Sequence, residues 1–167
     1  MYDPNLKIQI NGTVVPSISN DYPYLISIGP SYFESYETLL NVQFSHGFNL
    51  GKNTTEAMNT LIATVPLACK ALGHDNFAHW EMGNEPDLFA RAIRPATWNE
   101  TDYVAEWLNK TRIVQRELTK ACTEMGHAHY NYLAPSFAGT GNRLNPLKVW
   151  EAGFDSDSDI GMNSMHK

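Results

Sequence analysis

The stretch Phe77–Pro86, with the sequence FAHWEMGNEP, decides which fold we expect for this chain. Apolar and aromatic side chains dominate its first part, and Gly83 and Pro86 near its end are residues that interrupt strands. The stretch therefore predicts a short strand over residues 77–83. The segments before and after it have the apolar spacing of helices, so this strand is expected to alternate with helices along the chain.

Two helices are predicted, one on each side of this strand. The first follows an N-terminal capping pattern, Asn53 with Glu56, and continues at helical spacing until a glycine ends it. Pro66 lies inside this helix and is expected to kink or split it. The second helix is the longest in the chain and is predicted from about residue 102 to residue 125.

Further strands extend the alternation in both directions. Period-two spacing predicts a strand over 42–49, and apolar runs predict two more over 130–136 and 159–165. Strands and helices in this order predict parallel βαβ units over residues 40–167. The expected fold class is therefore α/β.

The N-terminal region, residues 1–28, is expected to contain a β-hairpin. Asn11-Gly12 stands between the apolar segments Lys7–Ile10 and Thr13–Val15, and this dipeptide supplies the two positive φ angles of a type I′ turn. The chain is therefore predicted to reverse its direction at this dipeptide.

Composition restricts the class of protein. With 167 residues, of which 43% are hydrophobic and 18% charged, the chain suits one globular domain over residues 1–167. Its net charge of −6 disfavours nucleic acid as a partner, because an acidic surface repels phosphate backbones. No apolar run approaches the ~20 residues that span a bilayer, so no membrane is expected as a partner. The N-terminus lacks the basic and apolar regions of a signal peptide.

Four N-x-[ST] triplets are candidate N-glycosylation sites, at Asn11, Asn53, Asn99 and Asn109. About two such triplets are expected by chance in a chain of this composition. Four is a mild excess, which is consistent with secretion. Asn109 lies away from the predicted buried stripe of the long helix, so its side chain is expected to be exposed.

Cys69 and Cys122 are too few to define a disulfide framework. Both fall at apolar positions of predicted helices, which favours buried thiols. A disulfide between neighbouring helices is the alternative, because the sequence alone does not place the two Cα atoms.

The carboxylates of the opening stretch differ in their expected positions. Ligands of parallel α/β folds bind at the carboxyl ends of the strands, so Glu85 is the acid best placed to contact a ligand. Glu81 lies mid-strand, about 13 Å away at the rise of a β-strand, which is too far for a catalytic pair. Asp87 is expected to brace the loop or to cap the turn that follows.

Other polar residues are assigned no chemistry. His46 either contacts a ligand or packs inside the fold, and packing is favoured. His127-Ala128-His129 and Asp155–Asp159 have spacings that superficially resemble metal sites. The histidines are expected at the edge opposite the ligand-binding one, and the acidic run lacks the Gly and the Glu that a calcium loop requires. No metal site is therefore predicted.

The turn Asn84-Glu85-Pro86 at the end of a strand resembles the Asn-Glu-Pro signature of retaining (β/α)8-barrel glycosidases. Five segments in the same order narrow the likeness to glycoside hydrolase family 79, and more to its fungal-type β-glucuronidases than to its heparanases. They are IGPSYFESY (28–36), HGFNLG (46–51), WEMGNEPD (80–87), YVAEW (103–107) and APSFAG (134–139). The resemblance extends from about residue 24 to the end of the sequence.

This resemblance implies a partial (β/α)8 TIM barrel, with roughly strands three to six and their helices, preceded by the hairpin. It implies hydrolysis of β-glucuronosyl O-glycosidic bonds with retention. Glu85 would be the general acid/base, and Asn84 would hydrogen-bond the 2-hydroxyl of the sugar. The substrate would be a glucuronic-acid-containing glycan or glycoside, no cofactor would be required, and the protein would act outside the cell.

The resemblance also implies an incomplete chain. The nucleophile of the family is a second Glu on strand seven, and Ser164–Lys167 resembles the start of its His-containing motif on strand six. We therefore expect an internal portion of a glycosidase that is inactive in isolation. Two alternatives stay open: a non-catalytic carbohydrate-binding fragment or truncated pseudo-enzyme, and a heparanase-like endo-glucuronidase.

Overall fold

The computed structural model describes residues 2–6, 10–14, 23–39, 41–73, 76–123, 131–139, 141 and 143–166. The strands in these ranges are β1 (Ile10–Val14), β2 (Pro23–Ser27), β3 (Phe44–Phe48), β4 (Phe77–Met82), β5 (Tyr132–Phe137) and β6 (Ile160–Met165). The α-helices are α1 (Ser31–Thr38), α2 (Thr55–Leu72), α3 (Glu100–Ala121) and α4 (Pro146–Glu151), and Pro86–Leu88 form one turn of 3-10 helix.

A parallel sheet organises the fold. Strands β3, β4, β5 and β6 are neighbours in the same order as they follow along the chain, and each pair is parallel. This confirms the α/β class, and each of the four strands lies within two residues of its predicted bounds. Consecutive helices contact each other from α1 to α4, so the helices form a layer beside the sheet.

The core lies between this helix layer and one face of the sheet. His46, Trp80 and Tyr132 are paired across β3, β4 and β5, and all three are buried. Trp107 of α3 contacts Tyr132 from the helix side, with ring centroids 5.4 Å apart. The hydroxyl of Tyr36 lies 2.7 Å from Nδ1 of His46. His46 therefore packs beneath α1, and burial lowers its pKa to about 4.

The N-terminal cap of helix α2 lies one residue later than predicted, and the helix is not split. The side chain of Thr54, not Asn53, accepts a hydrogen bond from the amide of Ala57 at 3.2 Å. Either residue type can cap a helix, so the pattern alone did not decide between them. Pro66 lies inside a single helix of 18 residues. The buried stripe of α2 offsets the hydrogen bond that a proline removes.

Helix α3 starts with a capping box formed by Asn99 and Asp102. It ends at Ala121, whose successor Cys122 is its C-terminal cap. The predicted end at residue 125, and with it His127-Ala128-His129, lies outside the described residues.

The expectation of buried thiols is wrong. Cys69 in the last turns of α2 and Cys122 at the end of α3 form a disulfide, with their Cα atoms 6.4 Å apart. The pairing arises because α2 and α3 are packed side by side, which a sequence separation of 53 residues does not reveal.

The predicted turn at Asn11-Gly12 is also wrong. Both residues lie within β1, which pairs antiparallel with β2. The register between the two strands shifts between Ile10 and Thr13, so the dipeptide occupies an irregular position inside a strand. Pairing with β2 outweighs the local turn preference.

None of the helices in the described ranges is long and apolar enough to cross a membrane.

Candidate active site

The carboxyl ends of the four parallel strands lie at one edge of the sheet. The chain leaves β3 at Asn49, β4 at Gly83, β5 at Ala138 and β6 at His166. Ligands bind at this edge in parallel α/β folds, so these four exits define the candidate site.

The turn that carries Glu85 is shaped by backbone geometry and not by strand alternation. Strand β4 ends at Met82, and Gly83 has a φ of 82°. The amide of Gly83 donates to the carbonyl of Phe48 at 2.9 Å, and the amide of Glu85 donates to the carbonyl of Ser136 at 2.8 Å. The turn is thereby joined to β3 on one side and to β5 on the other.

Glu85 itself adopts a left-handed backbone conformation, with φ 51° and ψ 47°. Such a conformation is uncommon for a residue other than glycine and is often found at functional sites. Pro86 follows it directly and begins the 3-10 turn.

The side chain of Glu85 contacts a histidine from the end of β6. Nδ1 of His166 lies 2.9 Å from Oε1 of Glu85, which is a hydrogen-bond distance. The two side chains are 37% and 39% exposed, so the carboxyl group has a partner and is still open to solvent. The amide of His166 donates to the carbonyl of Phe137 at 2.8 Å, which holds this residue against β5.

The neighbours of Glu85 have different environments. Asn84 is exposed at the same rim. Asp87 is 1% exposed, and its Oδ1 accepts a hydrogen bond from the amide of Ala138 at 2.9 Å. Asp87 thus braces the loop after β4 against the loop after β5, which is one of its two expected roles. Burial, and secondly the charge of Asp87, raise the pKa of the Tyr103 hydroxyl above its ordinary value.

A cleft of about 390 Å³ opens beside this turn. It is lined by Asp87, Leu88, Ala90, Gly141 and Arg143, from the loops after β4 and β5. The cleft adjoins the 3-10 turn that follows Glu85, and Arg143 is its exposed basic side chain.

The candidate glycosylation residues are distributed over several elements. Asn53 is exposed just before α2, and Asn109 is exposed on α3. The side chain of Asn99 caps α3 by accepting from the amides of Thr101 and Asp102. Asn11 lies in β1. Their glycosylation stays a prediction.

Sequence reasoning placed Glu85, Asn84 and Asp87 at one strand end, and the structure brings them together there. It missed His166 as the partner of Glu85, because 81 residues separate the two in sequence. The likeness of Ser164–Lys167 to a histidine-containing family motif was the signal that pointed to this residue.

The fold and site together define an α/β protein with an acid, paired to an imidazole, at the carboxyl edge of a parallel sheet. Such a group can donate a proton to a bound ligand and accept one from it. No protein-family model matches the chain.

Two proteins of known name are similar to almost the whole chain. It is 51% identical over 170 residues to a protein named beta-glucuronidase from Aspergillus niger, a match that covers 99% of this chain and 31% of that protein. It is 46% identical over 173 residues to a beta-glucuronidase from Neurospora crassa, with the same coverage of 99% and 31%. The chain thus spans about a third of the length of these relatives. Their names agree with the part of the sequence interpretation that pointed to β-glucuronidases.

Proposed function

We propose that this chain forms the acid/base part of the active site of a retaining β-glucuronidase of glycoside hydrolase family 79. The observation that carries the proposal is the position of Glu85. Its side chain is 37% exposed at the carboxyl edge of a parallel sheet, in an Asn-Glu-Pro turn held by β3 and β5. The names of the two relatives support glucuronidase chemistry at this site.

The sheet is proposed to be part of a (β/α)8 barrel. Neighbouring strands follow the order of the chain, and consecutive helices contact each other. A barrel requires this arrangement, whereas a doubly wound sheet reverses its strand order at a switch point. Further strands would pair with the outer edges of β3 and β6 to complete the ring.

In the proposed mechanism Glu85 acts twice. It first protonates the glycosidic oxygen of the leaving group, and it then removes a proton from the water that hydrolyses the glycosyl-enzyme. Asn84 would hydrogen-bond the 2-hydroxyl of the sugar, a contact that strengthens in the transition state. His166 would orient the carboxyl group of Glu85.

Retention requires a second carboxylate about 5–5.5 Å from the first. In a protein of the relatives' length, two thirds of the sequence lie outside the matched part, and we place the nucleophile there. The isolated chain is accordingly expected to be inactive. The substrate would be a glucuronic-acid-containing glycan or glycoside.

An extracellular location is part of the proposal. The disulfide between Cys69 and Cys122 supports it, because disulfides persist in oxidising compartments. The exposed positions of Asn53 and Asn109 are compatible with glycosylation.

A chimera tests the proposal directly. The chain replaces the matching segment of the Aspergillus niger relative, and hydrolysis of an aryl β-glucuronide is measured. We expect an active chimera, and Glu85→Gln should lower kcat by roughly 10²–10⁴-fold, the usual contribution of general acid–base catalysis. The matched control is Glu37→Gln, which changes an exposed acid on α1 and should leave the rate unchanged.

Product analysis separates the proposal from its alternatives. The first-formed sugar should have the β-anomeric configuration by NMR, because two displacements retain configuration. An active chimera whose Glu85→Gln variant keeps its full rate contradicts the proposal. Cleavage of heparan sulfate in place of the aryl glucuronide would favour the endo-glucuronidase. An inactive chimera that still binds glucuronides would favour a carbohydrate-binding role.

A further inference from the structure

A buried lysine holds the loop that follows β3. This segment, Asn49–Lys52, is called the β3 loop below. Nζ of Lys110 in α3 donates to the carbonyl oxygens of Asn49 at 3.2 Å, Leu50 at 2.8 Å and Lys52 at 2.8 Å. The residue is 3% exposed. An ammonium group has three N–H donors, so all three of its protons are directed at one loop.

A second cation binds the same loop from the same side. The guanidinium of Arg94 donates to the carbonyl of Gly51 at 2.8 Å and to that of Leu50 at 3.2 Å. It also forms a two-pronged ion pair with Glu106, in which Nη2 and Oε2 are 2.8 Å apart. The positive charge of Arg94 disfavours the charged form of Lys110, and the negative charge of Glu106 favours it.

Burial makes the positive charge of Lys110 unfavourable. Burial first, and then the charge of Arg94, lower its pKa to about 8, while Glu106 opposes the shift. An apolar side chain of the same length would fill this position without removing a charge from water. The loop carbonyls that Lys110 binds give a reason for a cation here.

The β3 loop in turn contacts the turn of Glu85. Leu50 is completely buried and packs against Gly83, so closely that a Cβ atom added to Gly83 would lie 2.5 Å from the Cβ of Leu50. Gly83 is two residues before Glu85 and donates its amide to the carbonyl of Phe48 at the base of the loop. A displaced loop must therefore displace this turn, since two packed groups at van der Waals contact move together.

We propose that Lys110 is a positioning residue of the candidate active site: by binding three carbonyls of the β3 loop, it holds Leu50 against Gly83 and so sets the turn that presents Asn84 and Glu85. This inference rests on the proposed function. It adds a residue that lies in α3, outside the strand-end segments, and that touches no substrate.

The chemistry of the leaving group makes the role measurable. A poor leaving group needs a proton from Glu85 as the glycosidic bond breaks, whereas a good one departs as an anion without it. A small displacement of Glu85 should therefore slow the first step, which kcat/KM reports, selectively for poor leaving groups. The second step, in which Glu85 acts as a base, is the same for both substrates. Partial unfolding would remove active molecules and slow both reactions equally.

The experiment uses the chimera with Lys110→Met, which keeps the length of the side chain and removes its donors. The matched control is Lys120→Met on the same helix, whose exposed ammonium pairs with Glu117. kcat/KM is measured with phenyl β-glucuronide, whose leaving group is poor, and with 2,4-dinitrophenyl β-glucuronide, whose leaving group is good. We expect Lys110→Met to lower kcat/KM about 10- to 100-fold for the first substrate, as misplacement of a catalytic group does. The kcat/KM for the second substrate and the values for Lys120→Met should stay within about twofold of the parent.

Equal losses on both substrates, or no loss, would overturn the positioning role. Glu85→Gln is measured in parallel. If it retains activity, the proposed function and this inference fall together. If it is inactive while Lys110→Met shows no selectivity, only the inference fails.

A measurement on the unsubstituted chain covers the case in which Lys110→Met does not fold. Near pH 8 the ammonium of Lys110 becomes an amine with two donors, so one of the three carbonyls loses its hydrogen bond. The amide NMR signals of Gly83 and Glu85 should then shift with the same midpoint as the Cε signal of Lys110. Amide signals that stay fixed while Lys110 titrates would refute the coupling.

Discussion

The disulfide between Cys69 and Cys122 should make a measurable contribution to the free energy of unfolding. It joins residues 53 apart and thereby restricts the unfolded chain. For a loop of this length the chain-entropy relation gives about 4 kcal/mol of stabilisation at 25 °C. That is a large fraction of the roughly 5–15 kcal/mol that separates folded from unfolded states of typical domains.

The perturbation is the double substitution Cys69→Ala and Cys122→Ala, compared with the oxidised parent chain. Alanine suits the fully buried position of Cys69 because it introduces no polar group. Trp80, Trp98 and Trp107 are buried, so tryptophan fluorescence reports unfolding. With a urea dependence of about 2 kcal/mol per molar, the midpoint should fall by about 2 M.

Two controls make the result interpretable. Reductant should lower the midpoint of the parent and leave that of the double variant unchanged. Peptide mapping of the oxidised parent should find one peptide that links Cys69 to Cys122. Equal midpoints for parent and double variant, or two free thiols in the oxidised parent, would refute the reasoning.

Two substitutions and one titration test buried residues. Burial raises the pKa of Asp159 to about 6 from 3.8, so its stabilising contribution is complete below pH 3.8 and is lost as the pH rises through 6. Asp159→Asn should therefore increase the free energy of unfolding by up to about 3 kcal/mol at pH 7 and by little at pH 3.5. Equal increases at the two pH values would contradict this expectation. Because the pKa of His46 is lowered to about 4, NMR should show a neutral imidazole until the pH falls to about 4. The free energy of unfolding should decrease as the pH falls from 6.5 to 4. An imidazole titration with its midpoint near pH 6.5 would disprove this expectation. Gly83→Ala should destabilise the chain by about 2–4 kcal/mol in urea, because φ is 82° and the new Cβ meets Leu50. Gly141→Ala, with no atom within 4 Å of the added Cβ, is its control and should change stability little.

Much of the fold was predictable because it follows local patterns. Period-two and helical spacing of apolar residues located β3 to β6, α2 and α3 within a few residues. The glycine and proline of the opening stretch marked the strand end at which Glu85 lies. These features depend on backbone preference and on which side chains avoid water, and both properties can be read over a window of a few residues.

Local patterns failed where a distant segment competed with them. Asn11-Gly12 has the residues of a tight turn, yet pairing with β2 keeps this dipeptide in a strand. Cys69 and Cys122 look like buried thiols until α2 and α3 are packed together. In both cases a contact between segments that are distant in sequence decides the outcome, and the local pattern does not contain that contact.

By itself, then, the sequence determined the alternation of parallel strands and helices and the acid at the end of β4. The tertiary structure alone decided that His166 lies against Glu85 and that Lys110 binds the β3 loop, 58 to 61 residues earlier in the chain. The physical reason is that these hydrogen bonds join side chains to groups on other elements. No periodicity encodes such a contact, and only the packing of α3 and β6 brings the atoms within bonding distance.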